Sequence, residues 1–158
     1  MVEGLQRVVV TGLGAVTPIG NNVADYWSGL TSGRNGVALI SLFDASRHAC
    51  QFAAEVKDFD PTGFIEPKEA KRWDRYCKFG VVAAKQALAD SGLEITEANA
   101  DRIGVSIGSG VGGLLTMETQ AHVLEGKGPG RVSPFTVPMT IPNMATGLAA
   151  IALGAKGP

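Results

Sequence analysis

The sequence predicts an α/β layered fold, and three observations carry that expectation. Short β-branched runs end in glycine, and amphipathic stretches of helical period lie between them. The last of these helical stretches has no polar face at all. With 158 residues, 45% of them hydrophobic and 18% charged, the chain has enough material for one domain with a sizeable core. No internal repeat and no domain linker divides it.

The elements follow in order. Arg7–Leu13 (RVVVTGL) reads as a buried strand, ended by Gly12 and Gly14. Asn21 or Asn22 caps a helix whose apolar positions are Val23, Tyr26, Trp27 and Leu30, and Gly33 supplies its left-handed stop. Residues 34–50 are irregular. Gln51–Val56 is a second strand, and Asp60-Pro61 marks a turn. Lys68–Asp90 is a long helix with one apolar stripe running from Trp73 through Cys77, Val81 and Ala84 to Leu88, and Ser91-Gly92 ends it. Arg102–Ser109 (RIGVSIGS) is a third strand, Leu114–Leu124 a helix, and residues 126–138 a glycine and proline loop. Thr140–Leu153 is a helix with Pro142 in its first turn and Gly154 after its end. Strands alternating with helices predict a largely parallel sheet.

The C-terminal part is unusually apolar. Residues 132–155, twenty-four in all, contain no charge. Met144–Leu153 (MATGLAAIAL) is apolar all round, which marks a core helix or a membrane span, and ten residues are too few to span. A central helix needs covering elements on both flanks. The expectation is therefore that further structure, in the same protein or in a partner chain, completes the fold.

Composition excludes several functions. A net charge of −1 gives no global reason to expect nucleic acid or a membrane as partner. Cys50 and Cys77 form no CxxC and no metal-ligand spacing, and they fit reduced thiols in a cytosol. No basic-then-apolar leader precedes Arg7, so no signal peptide is expected. Gly108, Gly110 and Gly113 satisfy the dinucleotide pattern G-x-G-x-x-G, but no strand follows the next helix, and no acidic residue stands about 20 residues on at a strand end. Most of the glycines therefore read as tight turns or close approaches between backbones.

No self-sufficient catalytic set is visible. His48 and His122 lie far apart, Cys50 lacks a third orienting group, and Cys77 sits on an apolar helix stripe as a small buried hydrophobe. One polar feature stands out: Lys68, Lys71, Arg72, Arg75 and Lys78 recur at three- and four-residue spacing. Such a run is either a solvated face, with Glu69 and Asp74 interleaved, or a docking patch for an acidic protein or phosphate.

Taken together, several segments resemble the β-ketoacyl-[acyl carrier protein] synthases of the type II elongating class. They are VVVTGLGAVTPIG at 8–20, KDFDP at 57–61, ADSGLEIT at 89–96, RIGVSIGSGVGG at 102–113, SPFTVPMTIPNMATG at 133–147 and LGAKGP at 153–158. Their combination, in this order, is far more specific than any single glycine cluster. The resemblance implies that residues 1–158 are the amino-terminal half of a thiolase-like five-layer α/β/α/β/α sandwich, incomplete without the following segment. It further implies a homodimer.

The resemblance also implies a reaction without cofactor or metal. A cysteine at a helix N-terminus takes an acyl group from acyl carrier protein. Decarboxylation of malonyl carrier protein then yields the carbanion that attacks the thioester. The family's cysteine and histidines would lie after Pro158, so no catalytic residue is expected in this chain. Gly110 and Val111 match the family's acyl-pocket gate, where an isoleucine is common. Phe135 and Thr136 match the loop that closes the pocket across the dimer interface. Lys68, Lys71 and Arg72 match the carrier-protein docking patch. The implied partners are acyl carrier protein and acyl and malonyl thioesters, and the implied compartment is the cytoplasm, or the plastid stroma in a plant. A non-catalytic half that binds carrier protein or a partner chain is the first alternative, and a polyketide-type ketosynthase the second.

Overall fold

The computed structural model describes residues 6–158. Six α-helices are present among them: α1 (Val23–Thr31), α2 (Pro67–Ala70), α3 (Arg75–Ser91), α4 (Leu114–Lys127), α5 (Thr136–Thr140) and α6 (Met144–Leu153). The sheet among the described residues is an antiparallel pair, β1 (Val37–Leu39) with β2 (Phe52–Ala54), in which Ala38 stands opposite Ala53.

Local capping accounts for several helix ends. The Asn22 side chain accepts from the Asp25 amide to start α1, and Gly33 follows its end at φ 66°. Gly92 at φ 65° ends α3, and Gly154 at φ 76° ends α6. Glycine takes this left-handed conformation without the Cβ penalty other residues meet.

The core lies where α3 packs on α6. Val81, Cys77, Ala145 and Ala149 are fully buried there, and Val16, Trp73, Val105, Ile107 and Leu148 surround the central cluster. Burying a valine such as Val81 contributes about 1.5–3 kcal/mol. The other side of α6 is open, and Ile151 is 80% exposed. The apolar helix is thus central on one flank and uncovered on the other.

The structure departs from the expected parallel sheet. Residues 7–13 and 103–109 belong to no ladder, Arg102 closes a 3₁₀ turn, and Val8 is 91% exposed. Each lies against helices instead, where side chains satisfy part of its backbone. The Leu13 amide donates to Asp90 (2.8 Å), and the Ala15 amide to Gln86 (3.0 Å). The Ile107 amide donates to the Thr146 hydroxyl (3.1 Å). A ladder needs a neighbouring strand for its N–H and C=O groups, and neither segment supplies one to the other. β1, for its part, falls within residues expected to be irregular.

Two expected helices are each broken by a short non-helical stretch, residues 71–74 in one and 141–143 in the other. Lys68–Asp90 is interrupted at Asp74, whose backbone is extended (ψ 161°) and whose carboxylate caps α3 through the Tyr76 amide. Thr140–Leu153 is interrupted at Ile141, which precedes Pro142 and is held extended at ψ 130°. The preceding turn, placed in a loop by the sequence reading, is helix α5. It accommodates Pro138 in its first turn, where a missing amide costs no helix hydrogen bond.

Candidate functional site

The N-terminal end of α3 is the point on which the candidate site is built. Asp74 is 5% exposed, and besides capping α3 it accepts from the amide and the hydroxyl of Thr116 in the first turn of α4. Tyr76 donates its phenol to the Ile141 carbonyl (2.6 Å), beyond the end of α5. Burial pushes that phenol above its ordinary range, with the neighbouring Cys77 adding to the effect. Arg75 donates to the Val56 carbonyl (2.6 Å) and lies over the Phe79 ring. Asp74 and Tyr76 escaped the sequence reading, although an Asp directly ahead of a helical run is itself a capping signal.

This arrangement corrects the basic run. The five cations do not share one side of a single helix, because the chain turns between Lys71 and Asp74. Lys68 on α2 and Lys71 and Arg72 in the turn are exposed. Arg75 is consumed by internal contacts. Arg75 and Lys78 are half-buried on α3, where both share a cleft with Lys71.

Gly110 and Val111 lie in the loop between residue 109 and α4, with Val111 53% exposed. The loop is held by the next two residues. Gly112 has φ 81°, donates its amide to the Ser109 hydroxyl (2.9 Å), and leaves no room for a Cβ, which would stand 2.3 Å from the Thr140 carbonyl oxygen. Gly113 donates to that same carbonyl (2.9 Å). This loop is thus packed against the end of α5, the helix that begins at Thr136. The Thr136 hydroxyl donates to the Ser133 carbonyl (2.6 Å). Its polarity is thereby spent within its own turn.

The structure also joins the two candidate sites. Arg72 Cζ lies 5.0 Å from the centre of the Phe135 ring, within the range of a cation–π contact. An open cleft of 820 Å³ lies between residues 55–61, the start of α3 and the first half of α4, lined by Lys71, Asp74, Lys78, Thr116 and Met139 among others. Its walls are mixed in charge, and Gly110 and Val111 are not part of them.

The sulfur and imidazole groups stay outside the site. Cys77 is fully buried, and burial pushes its thiol up, away from the reactive thiolate. Cys50 is exposed, and the His48 ring packs edge-on against Phe43. His122 is exposed on α4. Among the described residues no cluster of His, Cys, Asp and Glu is arranged to hold a metal ion. None of their helices is long and apolar enough to cross a membrane. The segment after α4, residues 128–140, forms a 3₁₀ turn and α5 rather than the strand a dinucleotide site requires.

The family model described as "Beta-ketoacyl synthase, N-terminal domain" matches residues 5–158. The chain belongs to the β-ketoacyl synthases. It is 61% identical over 153 residues to 3-oxoacyl-[acyl-carrier-protein] synthase 2 of Synechocystis, an alignment covering 97% of this chain and 37% of that protein. The synthase of the same name from Staphylococcus aureus is 50% identical over the same lengths. The chain therefore spans little more than a third of the curated relatives it matches. A solved β-ketoacyl synthase from Burkholderia phymatum superposes with TM-score 0.79 at 26% identity, covering 98% of this chain and 38% of the other. The ishigamide ketosynthase/chain length factor gives TM-score 0.79 at 26% identity, covering 94% and 38%. These likenesses bear out the amino-terminal half of a thiolase-like α/β fold.

Proposed function

We propose that this chain is the amino-terminal part of a condensing enzyme that joins acyl groups to malonyl-[acyl carrier protein] in fatty acid elongation. The observation that carries the reading is the 61% identity to a 3-oxoacyl-[acyl-carrier-protein] synthase 2, sustained over nearly the whole chain. In this reading the nucleophilic cysteine and the histidines belong to the portion beyond Pro158. This chain supplies the surface that receives the carrier and one wall of the acyl pocket. Lys68, Lys71 and Arg72 form an exposed cationic edge suited to an acidic carrier protein. Gly110, Val111, Phe135 and Thr136 line the acyl chain. Gly112 and Gly113 keep the gate loop pressed onto α5, which fixes the wall in place before substrate arrives. The assembly is a homodimer and the compartment the cytoplasm, or a plastid stroma for a plant source.

A polyketide-type ketosynthase is the second reading, favoured by the structural likeness to the ishigamide ketosynthase/chain length factor. Its 26% identity against 61% for the fatty acid relative sets the order of the two. The test is condensation by the full-length protein with acyl- and malonyl-carrier thioesters. One two-carbon extension per acyl substrate supports elongation, and repeated extension without reduction supports the polyketide reading. Carrier binding without condensation supports the non-catalytic half. Reversing the charges of Lys68 and Arg72 together is expected to weaken carrier binding and flatten its salt dependence. Binding unchanged in a titration removes the docking assignment.

A further inference from the structure

Two residues four apart at the α2–α3 junction grip the two ends of one segment. Arg72 stands over the ring of Phe135, immediately ahead of α5, and Tyr76 holds the carbonyl of Ile141, immediately after it. Between them Asp74 is tied to Thr116 on α4. The far end of α5 has a second anchor, because the Thr140 carbonyl accepts from the Gly113 amide (2.9 Å). The near end is held more lightly. Phe135 is 40% exposed, and its amide donates to the Ser133 hydroxyl at 3.2 Å. The ring itself is met from above by a guanidinium group. A freely turning ring at that end would change the width of whatever the segment borders.

We propose that Arg72 is a positioning residue for acyl-chain selection: its guanidinium fixes the Phe135 ring and thereby sets the pocket wall. This rests on the reading of Phe135 as part of the acyl pocket. The choice of arginine at this place has a physical reason. A planar guanidinium over an aromatic face keeps its edge N–H groups free, so it can hold the ring and still take a carboxylate from a docking partner. A partner's carboxylate on that edge orders the cation and, through it, the ring. The binding surface and the pocket wall then share one side chain.

The test uses the full-length synthase and compares long with short acyl thioesters of a small thiol, which bypass carrier docking. The readout is the ratio of kcat/KM for the two lengths. Phe135→Leu, which removes the π face, is expected to change that ratio. Arg72→Met, which keeps the apolar stem and loses the cation, is expected to shift it about two- to fivefold, the size of an exposed cation–π contact. Arg72→Lys restores the parental ratio in large part, because an ammonium is also attracted to the ring. In the Phe135→Leu background Arg72→Met has no further effect. Lys127→Glu, at an exposed cation in the last turn of α4 that has no part in docking or in the pocket, leaves the ratio at its parental value.

Two failures are distinguishable. A ratio unmoved by Phe135→Leu removes the pocket reading on which the inference rests. A ratio moved by Phe135→Leu but not by Arg72→Met overturns the inference itself. Independent, additive effects in the double variant overturn it as well.

Discussion

Gly14→Ala should destabilise the fold out of proportion to the single methyl it adds. A Cβ at Gly14 would stand 1.9 Å from the Ala83 carbonyl oxygen and 2.9 Å from the Ala87 nitrogen, both in the backbone of α3. Backbone inside a packed helix cannot step aside as a flexible side chain can, so the 12–16 segment must retreat by roughly 1.5 Å to reach ordinary contact. That retreat breaks the bonds from Leu13 to Asp90 and from Ala15 to Gln86, and it draws Val16 off the core cluster. Two lost hydrogen bonds cost about 1–3 kcal/mol and loosened packing about 1–2, against a gain of about 0.4–1 from a stiffer unfolded chain, for a net loss of about 1–4.5 kcal/mol. Urea unfolding of the full-length protein measures it, and hydrogen exchange at the Leu13 and Ala15 amides locates it. Gly126→Ala is the matched control. That glycine lies in α4 with nothing within 4 Å of an added Cβ, so the substitution is expected to be neutral or to stabilise by up to about 1 kcal/mol. A Gly14→Ala protein within about 0.5 kcal/mol of its parent, the typical scatter of harmless surface changes, would refute the close-approach reasoning.

Three further outcomes are expected. Asp74→Ala removes the cap of α3 and orphans the buried amide and hydroxyl of Thr116, a loss of about 2–4 kcal/mol in denaturant unfolding; Thr116→Val in the Asp74→Ala background should then cost far less than it does alone. The Ser41 hydroxyl, with the amides of Ser41 and Leu42, holds the Glu55 carboxyl below its ordinary range. A depressed folded-state pKa contributes stability that is complete above the unfolded value of about 4.3 and is lost as pH falls through the folded value. Exchange protection at Ser41 and Leu42 should therefore decline on acidification below that point, and Glu55→Gln should lie low and flat across the same range. Val111→Ile adds one methylene at the proposed gate. About 0.8 kcal/mol per CH₂ translates to roughly fourfold in kcat/KM against the longest acyl substrates, and an unchanged chain-length profile would dismiss Val111 from that role.

The candidate site was partly legible in the chain before its fold was known. Lys68, Lys71 and Arg72 were singled out by the resemblance, and all three are exposed. The same periodicity misled at Arg75 and Lys78, because a regular spacing of cations runs straight through Asp74 and hides the turn. Asp74 carried its own local signal, a helix-capping side chain ahead of an apolar stripe. At Ile141 the signal lay in Pro142, which was read as a first-turn proline of a helix from Thr140, although it disfavours helical backbone in the residue before it. By contrast, nothing in the sequence pairs Arg72 with Phe135, since 63 residues separate them and neither type demands the other.

The sequence by itself determined the helix ends marked by Gly33, Gly92 and Gly154, a helix start at Asn21 or Asn22, the buried stripe through Cys77 and Val81, and membership of the β-ketoacyl synthases. These signals act within a turn or two of chain, or repeat along one face, so position in space is not needed to read them. Tertiary structure alone decided that residues 7–13 and 103–109 form no ladder, that Gly12 and Gly14 press the 12–16 segment onto the backbone of α3, and that Arg72 reaches the Phe135 ring. Each depends on which distant surfaces meet. A residue's local preferences state what conformation it favours, while its partner across the fold is set by the joint packing of the described elements.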